Sequence, residues 1–330
     1  MRPRLVLTIA FAVLVCAVPW FVAPYLAFQL SFVGAYAIAI LGLVILIGHS
    51  GQISLGHGAF MAVGGYTIAI LLNHAGIPYV ISLPLAALAC GVLGIGLGFV
   101  SLRLADIYLA LATFALAASV APLLKRFGSI TGGVQGLLLP TPHAPGPLHD
   151  ALRGEVWYYY VSWTIAAVLF AIAYAGLHGP VGRCLRAIRD SEVAAISFGV
   201  NPVLYKTLAF GWSAAYAGVA GSLIAMNTAF VSPDSYAISL SLTLLVGAVI
   251  GGLDLMWGAI FGGVVVQFLP LWVQKVNPAM SSIVYGLALV AIMMFSPGGI
   301  AGGIERLLRM FRVQPTKTRQ TVPIAKDLSS

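Results

Sequence analysis

Leu30-Ser31-Phe32-Val33-Gly34-Ala35-Tyr36-Ala37-Ile38-Ala39-Ile40-Leu41-Gly42-Leu43-Val44-Ile45-Leu46-Ile47 runs straight into Gly48-His49-Ser50-Gly51-Gln52-Ile53-Ser54-Leu55-Gly56-His57-Gly58-Ala59-Phe60. The first stretch is uncharged and almost wholly apolar. About 20 such residues in a helix cross the hydrocarbon core of a bilayer. The second stretch sets five polar side chains and four glycines beside that span. Backbone groups in lipid must be paired internally, so a polar break is tolerable only against protein or a water-filled path. Transporters build substrate sites from interrupted helices of this kind. On that reading Gln52, Ser54 and His57 belong to a translocation pathway. The segment also reads as a cytoplasmic turn followed by a glycine face for close helix packing, with His57 as a hydrogen-bonding residue.

The rest of the chain has the same character. Of its residues, 60% are hydrophobic and 8% charged, and its mean hydropathy is +1.01. A soluble domain carries about 25% charged residues, so the length of two soluble domains here signifies one membrane domain. The net charge of +8 lies in short clusters between apolar runs, with no aromatic-basic platform. This fits the positive-inside rule and argues against nucleic acid as a partner. Cys16 and Cys90 lie in apolar runs and Cys184 in a basic loop, with no CxxC pair or His/Cys cluster. Neither a disulfide framework, a metal site nor a cofactor is predicted.

Runs of spanning length predict an all-α polytopic membrane protein with about ten transmembrane helices and glycine-rich breaks. They fall near residues 5–25, 30–47, 53–72, 79–102, 107–124, 157–177, 207–226, two within 236–274 and one at 280–295. The transmembrane domain is expected over 1–304, with a polar segment at 125–156, a charged loop at 178–206 and a basic tail at 305–330. Met1-Arg2-Pro3-Arg4 followed by Leu5–Val18 resembles a signal peptide. It is read as an uncleaved first span, because everything after it is also membrane-spanning. With the N-terminus inside, thirteen of the 17 lysines and arginines fall in inner loops, and Lys125, Arg126, Arg153 and Lys275 fall outside. The expectation is a multi-pass protein of the bacterial inner membrane with both termini in the cytoplasm. Trp20, Trp157–Tyr160 and Trp272 fall near the expected outer interface. Asp106 and Asp254 fall at span ends and read as interfacial turns, Asp106 beside Arg103. Gly91, Gly94, Gly96 and Gly98 have small-residue spacing suited to helix contact.

In the loop at 178–206, Leu185, Ile188, Glu192 and Ile196 recur at helical spacing, with Arg183, Arg186 and Arg189 around them. A short amphipathic helix is predicted, facing either anionic lipid headgroups or a docking protein. Glu192-Val193-Ala194-Ala195 with Gly199 beyond resembles the E-A-A…G loop of ABC importer permeases. The wider match is similar to the branched-chain amino acid permease family. It includes Arg186–Glu192, Gly199-Val200-Asn201, Ala217–Gly221, Gly51–His57, Gly64-Gly65-Tyr66-Thr67, Thr131-Gly132-Gly133 with Gly136-Leu137, and Gly251-Gly252-Leu253 with Trp257-Gly258. The Thr131 segment and the tract Tyr108–Phe114 resemble the M-type subunit over its H-type partner.

The resemblance implies a permease subunit of an ATP-driven importer, not an enzyme. It would act with a homologous H-type permease, two cytoplasmic ABC ATPases and a periplasmic solute-binding protein. The loop would couple to an ATPase through Arg186, Arg189, Glu192, Ala194, Ala195 and Gly199, and Thr131, Gly132 and Gly133 join the pathway candidates. Branched-chain or other aliphatic amino acids are the implied substrates, with urea or a short amide as the alternative within the family. Val134-Gln135 after the Thr131 motif, Ala115–Ala118 where the family often carries a glutamate, and Asp254 are departures that bear on substrate. No phosphate-binding loop occurs; the nearest candidate, ending in Lys206-Thr207, has Tyr205 where a glycine is required. A pump would therefore draw its ATP chemistry from another chain. A self-contained channel or secondary carrier is the rival of a different class.

Overall fold

A computed structural model describes residues 15, 17–102, 106–140 and 154–276, together with 283, 284, 286, 287, 294 and 299–303. The chain there is a bundle of helices. Helix α1 (Pro24–Leu43) opens with proline at its first turn, where a missing N–H costs nothing, and continues as a π turn over Val44–His49. Non-helical chain leads to α2 (His57–Ala75), closed by Gly76 in the left-handed region. Then come α3 (Tyr79–Ser101) and α4 (Asp106–Arg126), a single helical turn at Gly128–Thr131, and α5 (Gly154–His178). Two short helices follow, α6 (Pro180–Asp190) and α7 (Glu192–Ser197). Helices α8 (Pro202–Thr228), α9 (Ile238–Gly251) and α10 (Gly258–Val276) complete the bundle.

Among the described residues, seven helices are long and apolar enough to cross a membrane, and Gly258–Val273 is a shorter apolar one. This bears out an all-α polytopic protein without reaching the expected count of ten. Most of the expected first span and of the tenth, and the basic tail, lie outside the described residues, as does Arg103. Three starts differ most from expectation. The span expected from about Leu30 begins at Pro24, which sits in its first turn. The span expected from Ile53 starts at His57, because the polar break at 51–56 stays outside any helix. The span expected from Thr207 starts at Pro202, because the Asn201 side chain caps it, accepting from the amides of Val203 and Leu204.

The layering follows from which helices can approach closely. In α1 with its π turn and in α8, 78% of the most apolar stretch is buried, against 22% in α3, α4 and α5. Helix α8 is therefore the central post, packed on α1, α2 and α3. Glycine makes this possible: a Cβ on Gly64 would strike the backbone of Gly218, and one on Gly221 the backbone of Met61. Without a hydrophobic drive between helices in lipid, such backbone-to-backbone contact supplies the packing. Gly94 and Gly98 seat against Phe210, Ala214 and Thr207 of α8, and Gly91 against Ala215. Gly96, expected in the same seam, faces open space.

Helix α4 is the most loosely held. Leu109, Thr113, Ala117 and Val120 form its only buried stripe, while Ile107, Leu111, Phe114 and Leu123 are exposed. At its end the first part of the polar segment expected over 125–156 is locally ordered. Leu137 pairs with Val231 and Leu138 with Phe230 in a two-residue antiparallel ladder, and Lys125 bonds Asp234 at 2.6 Å. The loop after α4 is thereby tied to the loop after α8.

Candidate functional site

The polar break begins where α1 loses its regular pitch. The amides of Gly51 and Gln52 reach back to the carbonyls of Ile47 and Leu46, and Gly51 takes φ 74°, a conformation that favours glycine. π turns of this kind recur at functional sites. From there the chain runs to Gly56 outside any helix, and its polar groups are satisfied by four separate helices.

Gln52 is 3% exposed. Its amide nitrogen donates to the Lys206 carbonyl at 3.1 Å and to Ser50 Oγ at 3.0 Å, and Ser101 Oγ donates to its oxygen at 3.4 Å. The Leu55 amide donates to Thr113 Oγ1 of α4 at 3.0 Å. The Gly58 amide donates to Ser241 Oγ of α9 at 2.9 Å. Ser54 is fully buried and accepts from the Gly56 amide at 3.3 Å, closing the turn into α2. His57 is also buried: its Nε2 lies 2.8 Å from Ser213 Oγ, which itself donates to the Gly42 carbonyl at 2.6 Å. Ser213 has one proton and commits it to Gly42, so His57 Nε2 is the donor. Its Nδ1 is buried without a hydrogen-bond partner among the described residues.

The charged loop folds as two helices where one was predicted. Ser191 takes an extended conformation, φ −161° and ψ 109°, and its side chain accepts from the Ala194 amide at 3.3 Å. Ser191 thus ends α6 and caps α7, an arrangement serine favours strongly. The sequence Asp190-Ser191-Glu192 carried that signal; the unbroken apolar spacing across it hid the stop. In α6, Leu185 and Ile188 are buried and Arg186 donates to the Leu177 carbonyl at 3.2 Å. In α7 only Ala195 is buried. Val193 is 77% exposed, Ile196 54% and Phe198 87%. Gly199 leaves the helix with φ 79° and open space around it.

The break and the loop, read separately in the sequence, meet in the structure. Gln52, Ser101, Leu102, Leu109, Glu192, Val203 and Lys206 line one polar cavity of about 110 Å³. Lys206 Nζ sits 2.5 Å from Glu192 Oε2. On the other side of the break, Arg189 donates to the Gly48 carbonyl and lies 3.4 Å from Asp254. Asp254, expected in an interfacial turn, is 76% exposed and lies in the turn between α9 and α10. The side chain of Asp106, the other such residue, lies outside the described positions.

Thr131, Gly132 and Gly133 stand apart from this cluster, in the ordered turn beyond α4. Thr131 Oγ1 donates to the carbonyls of Leu124 at 2.6 Å and Phe127 at 2.9 Å, and accepts from the Gly133 amide at 3.3 Å. Gly132 and Gly133 both take positive φ. Ser101, Thr113, Lys206, Ser213 and Ser241 were not singled out from the sequence as site residues. What marked four of them was a hydroxyl within or at the end of an apolar run.

A family model described as the permease component of the branched-chain amino acid transport system matches residues 25–293. The high-affinity branched-chain amino acid transport system permease protein LivM of Salmonella typhimurium is 32% identical over 286 residues, covering 80% of this chain and 67% of that protein. The protein of the same name from Escherichia coli K12 is 31% identical over the same coverage. No solved structure matches.

Proposed function

Because the chain belongs to the branched-chain amino acid transport permease family, we propose that it is an M-type membrane subunit of an ATP-driven importer for branched-chain or related aliphatic amino acids. It lies in the bacterial inner membrane with both termini in the cytoplasm. A homologous H-type permease completes the translocation unit. Two cytoplasmic ABC ATPases bind the inner loops, and a periplasmic solute-binding protein delivers the substrate. ATP binding moves the ATPases, α7 carries that motion into the bundle, and access switches from one side to the other.

One observation carries the reading. A capped six-residue helix, held to the bundle through Ala195 and the Glu192–Lys206 pair, leaves Val193, Ile196 and, at its C-cap, Phe198 exposed. Three apolar side chains on one short, charged-flanked helix suit a groove in a protein partner. The arginine bias supports a cytoplasmic position for this loop, where an ATPase would meet it. Domain boundaries follow: 1–304 spans the membrane, 178–206 is the coupling loop, 125–156 faces the periplasm and 305–330 is a cytoplasmic tail.

The test is reconstitution. Vesicles holding this chain with its candidate partners should take up leucine or valine only with internal ATP and added binding protein. Phe198→Asp should abolish co-purification of the ATPases, because it places a charge in an apolar contact. Flux through this chain alone would support the channel or carrier, and uptake of urea in place of leucine would move the substrate within the family.

A further inference from the structure

The Gly48–Gln52 break is held at two points by groups that belong to the charged loop. On one side the Arg189 guanidinium donates to the Gly48 carbonyl and reaches Asp254 at 3.4 Å. The aliphatic stem of Arg189 packs over Gly51, where a Cβ would stand 3.0 Å from Arg189 Cγ. Gly51 must therefore lack a side chain on two counts, its φ of 74° and the arginine lying across it. On the other side the Gln52 amide donates to the Lys206 carbonyl at 3.1 Å, and the Lys206 ammonium sits 2.5 Å from the Glu192 carboxylate. Arg189 is the penultimate residue of α6, and Glu192 is the first of α7. A displacement of these two helices thus pulls on the carbonyl of Gly48 and on the base of α8 that anchors Gln52.

The backbone at the break is suited to move. Its helical ladder ends in a π turn, and residues 51–56 belong to no helix. We infer that Gly48–Gln52 is the joint through which α6 and α7 drive the bundle, with Arg189 and the Glu192–Lys206 pair as its positioning residues. This rests on the coupling reading above and adds the receiving end of the stroke. Coupling is carried by contiguous networks that offer two arrangements. Here the alternatives are ionic contacts at a surface, which exchange partners at little cost.

The experiment uses the assembled transporter in vesicles, with leucine uptake and ATP hydrolysis read on the same preparation. Wild type is read first: if it neither binds the ATPases nor needs ATP, the proposed function itself fails. In Arg189→Gln, the ATPases should still co-purify and ATP hydrolysis should persist, while leucine moved per ATP falls by about three- to thirty-fold. Asp254→Asn, at an exposed position, should lower the same ratio less. Glu192→Lys and Lys206→Glu should each lower it, and the double reversal should recover most of the loss. Hydrogen exchange over residues 51–56 should respond to a non-hydrolysable ATP analogue in wild type and not in Arg189→Gln. An unchanged ratio, or an exchange response that survives in Arg189→Gln, overturns the inference. Loss of the ATPases from Arg189→Gln overturns it too, since Arg189 would then serve docking alone, and the proposed function would stand.

Discussion

His57 shows what a residue's setting adds to its identity. A histidine near a polar break invites a pathway role. Here its Nε2 is spent on Ser213, and Ser213 is spent on Gly42, so the ring fastens α2 to α8 and α1. His57→Gln keeps an amide donor near the Nε2 position and should retain uptake, whereas His57→Ala should lose about 2–4 kcal/mol through cavity and bond together. Thermal unfolding in detergent, compared with uptake, separates the two. Gly64 offers a second contrast. Gly64→Ala would drive a methyl into the backbone of Gly218 and should cost about 1–3 kcal/mol. Gly96→Ala, in open space on α3, should leave the melting temperature unchanged. The presence of these residues was legible in the sequence, but their partners were not. Ser213 lies 156 residues from His57 and Lys206 lies 154 from Gln52. No local pattern can announce a bond across such a separation.

Among the elements, α4 and α7 are those whose behaviour the structure makes most open to test. Helix α4 is pinned near its middle by Thr113, which accepts from the Leu55 amide. Thr113→Val keeps the shape and removes the acceptor, leaving a part-buried N–H unpaired at a cost of about 1–3 kcal/mol. Hydrogen exchange at Leu55 and Gly56 should accelerate while α8 stays protected. Helix α7 depends on its cap. Ser191→Ala should cost about 0.5–2 kcal/mol locally, seen as faster proteolysis within 191–199 with the bundle intact. The spans themselves were readable because lipid imposes length and apolarity. Two of the misplaced starts had local signals, the Asn201 cap before Pro202 and the run of glycines before His57. What no span-length criterion registers is a two-residue ladder such as Leu137–Leu138 with Phe230–Val231, whose strands are too short to leave a period.

For the whole molecule, the proposed orientation is the claim with the widest consequences. Val134 is 69% exposed and Phe198 87% exposed. In a chain lacking its native cysteines, Val134→Cys should react with a membrane-impermeant maleimide in intact spheroplasts. Phe198→Cys should react only after the membrane is opened. The reverse pattern would put α7 in the periplasm, out of reach of any ATPase. Family membership was legible from dispersed motifs, because the glycines in several of them sit where backbone contact or a turn restricts the choice of residue. The meeting of the break with the loop around one cavity emerges only when α3 and α8 bring Ser101 and Lys206 to the same end of the bundle.

The glycine seams of α8 have a mechanical corollary. Where two backbones touch, neither helix can roll without lifting its neighbour away, so α2, α3 and α8 are suited to act as a stator. Any swing that opens a route for solute would then fall to the thinly attached outer staves, α4 first among them. A covalent tether between α4 and α2 should therefore stall transport, while one placed between α2 and α8 should leave turnover intact.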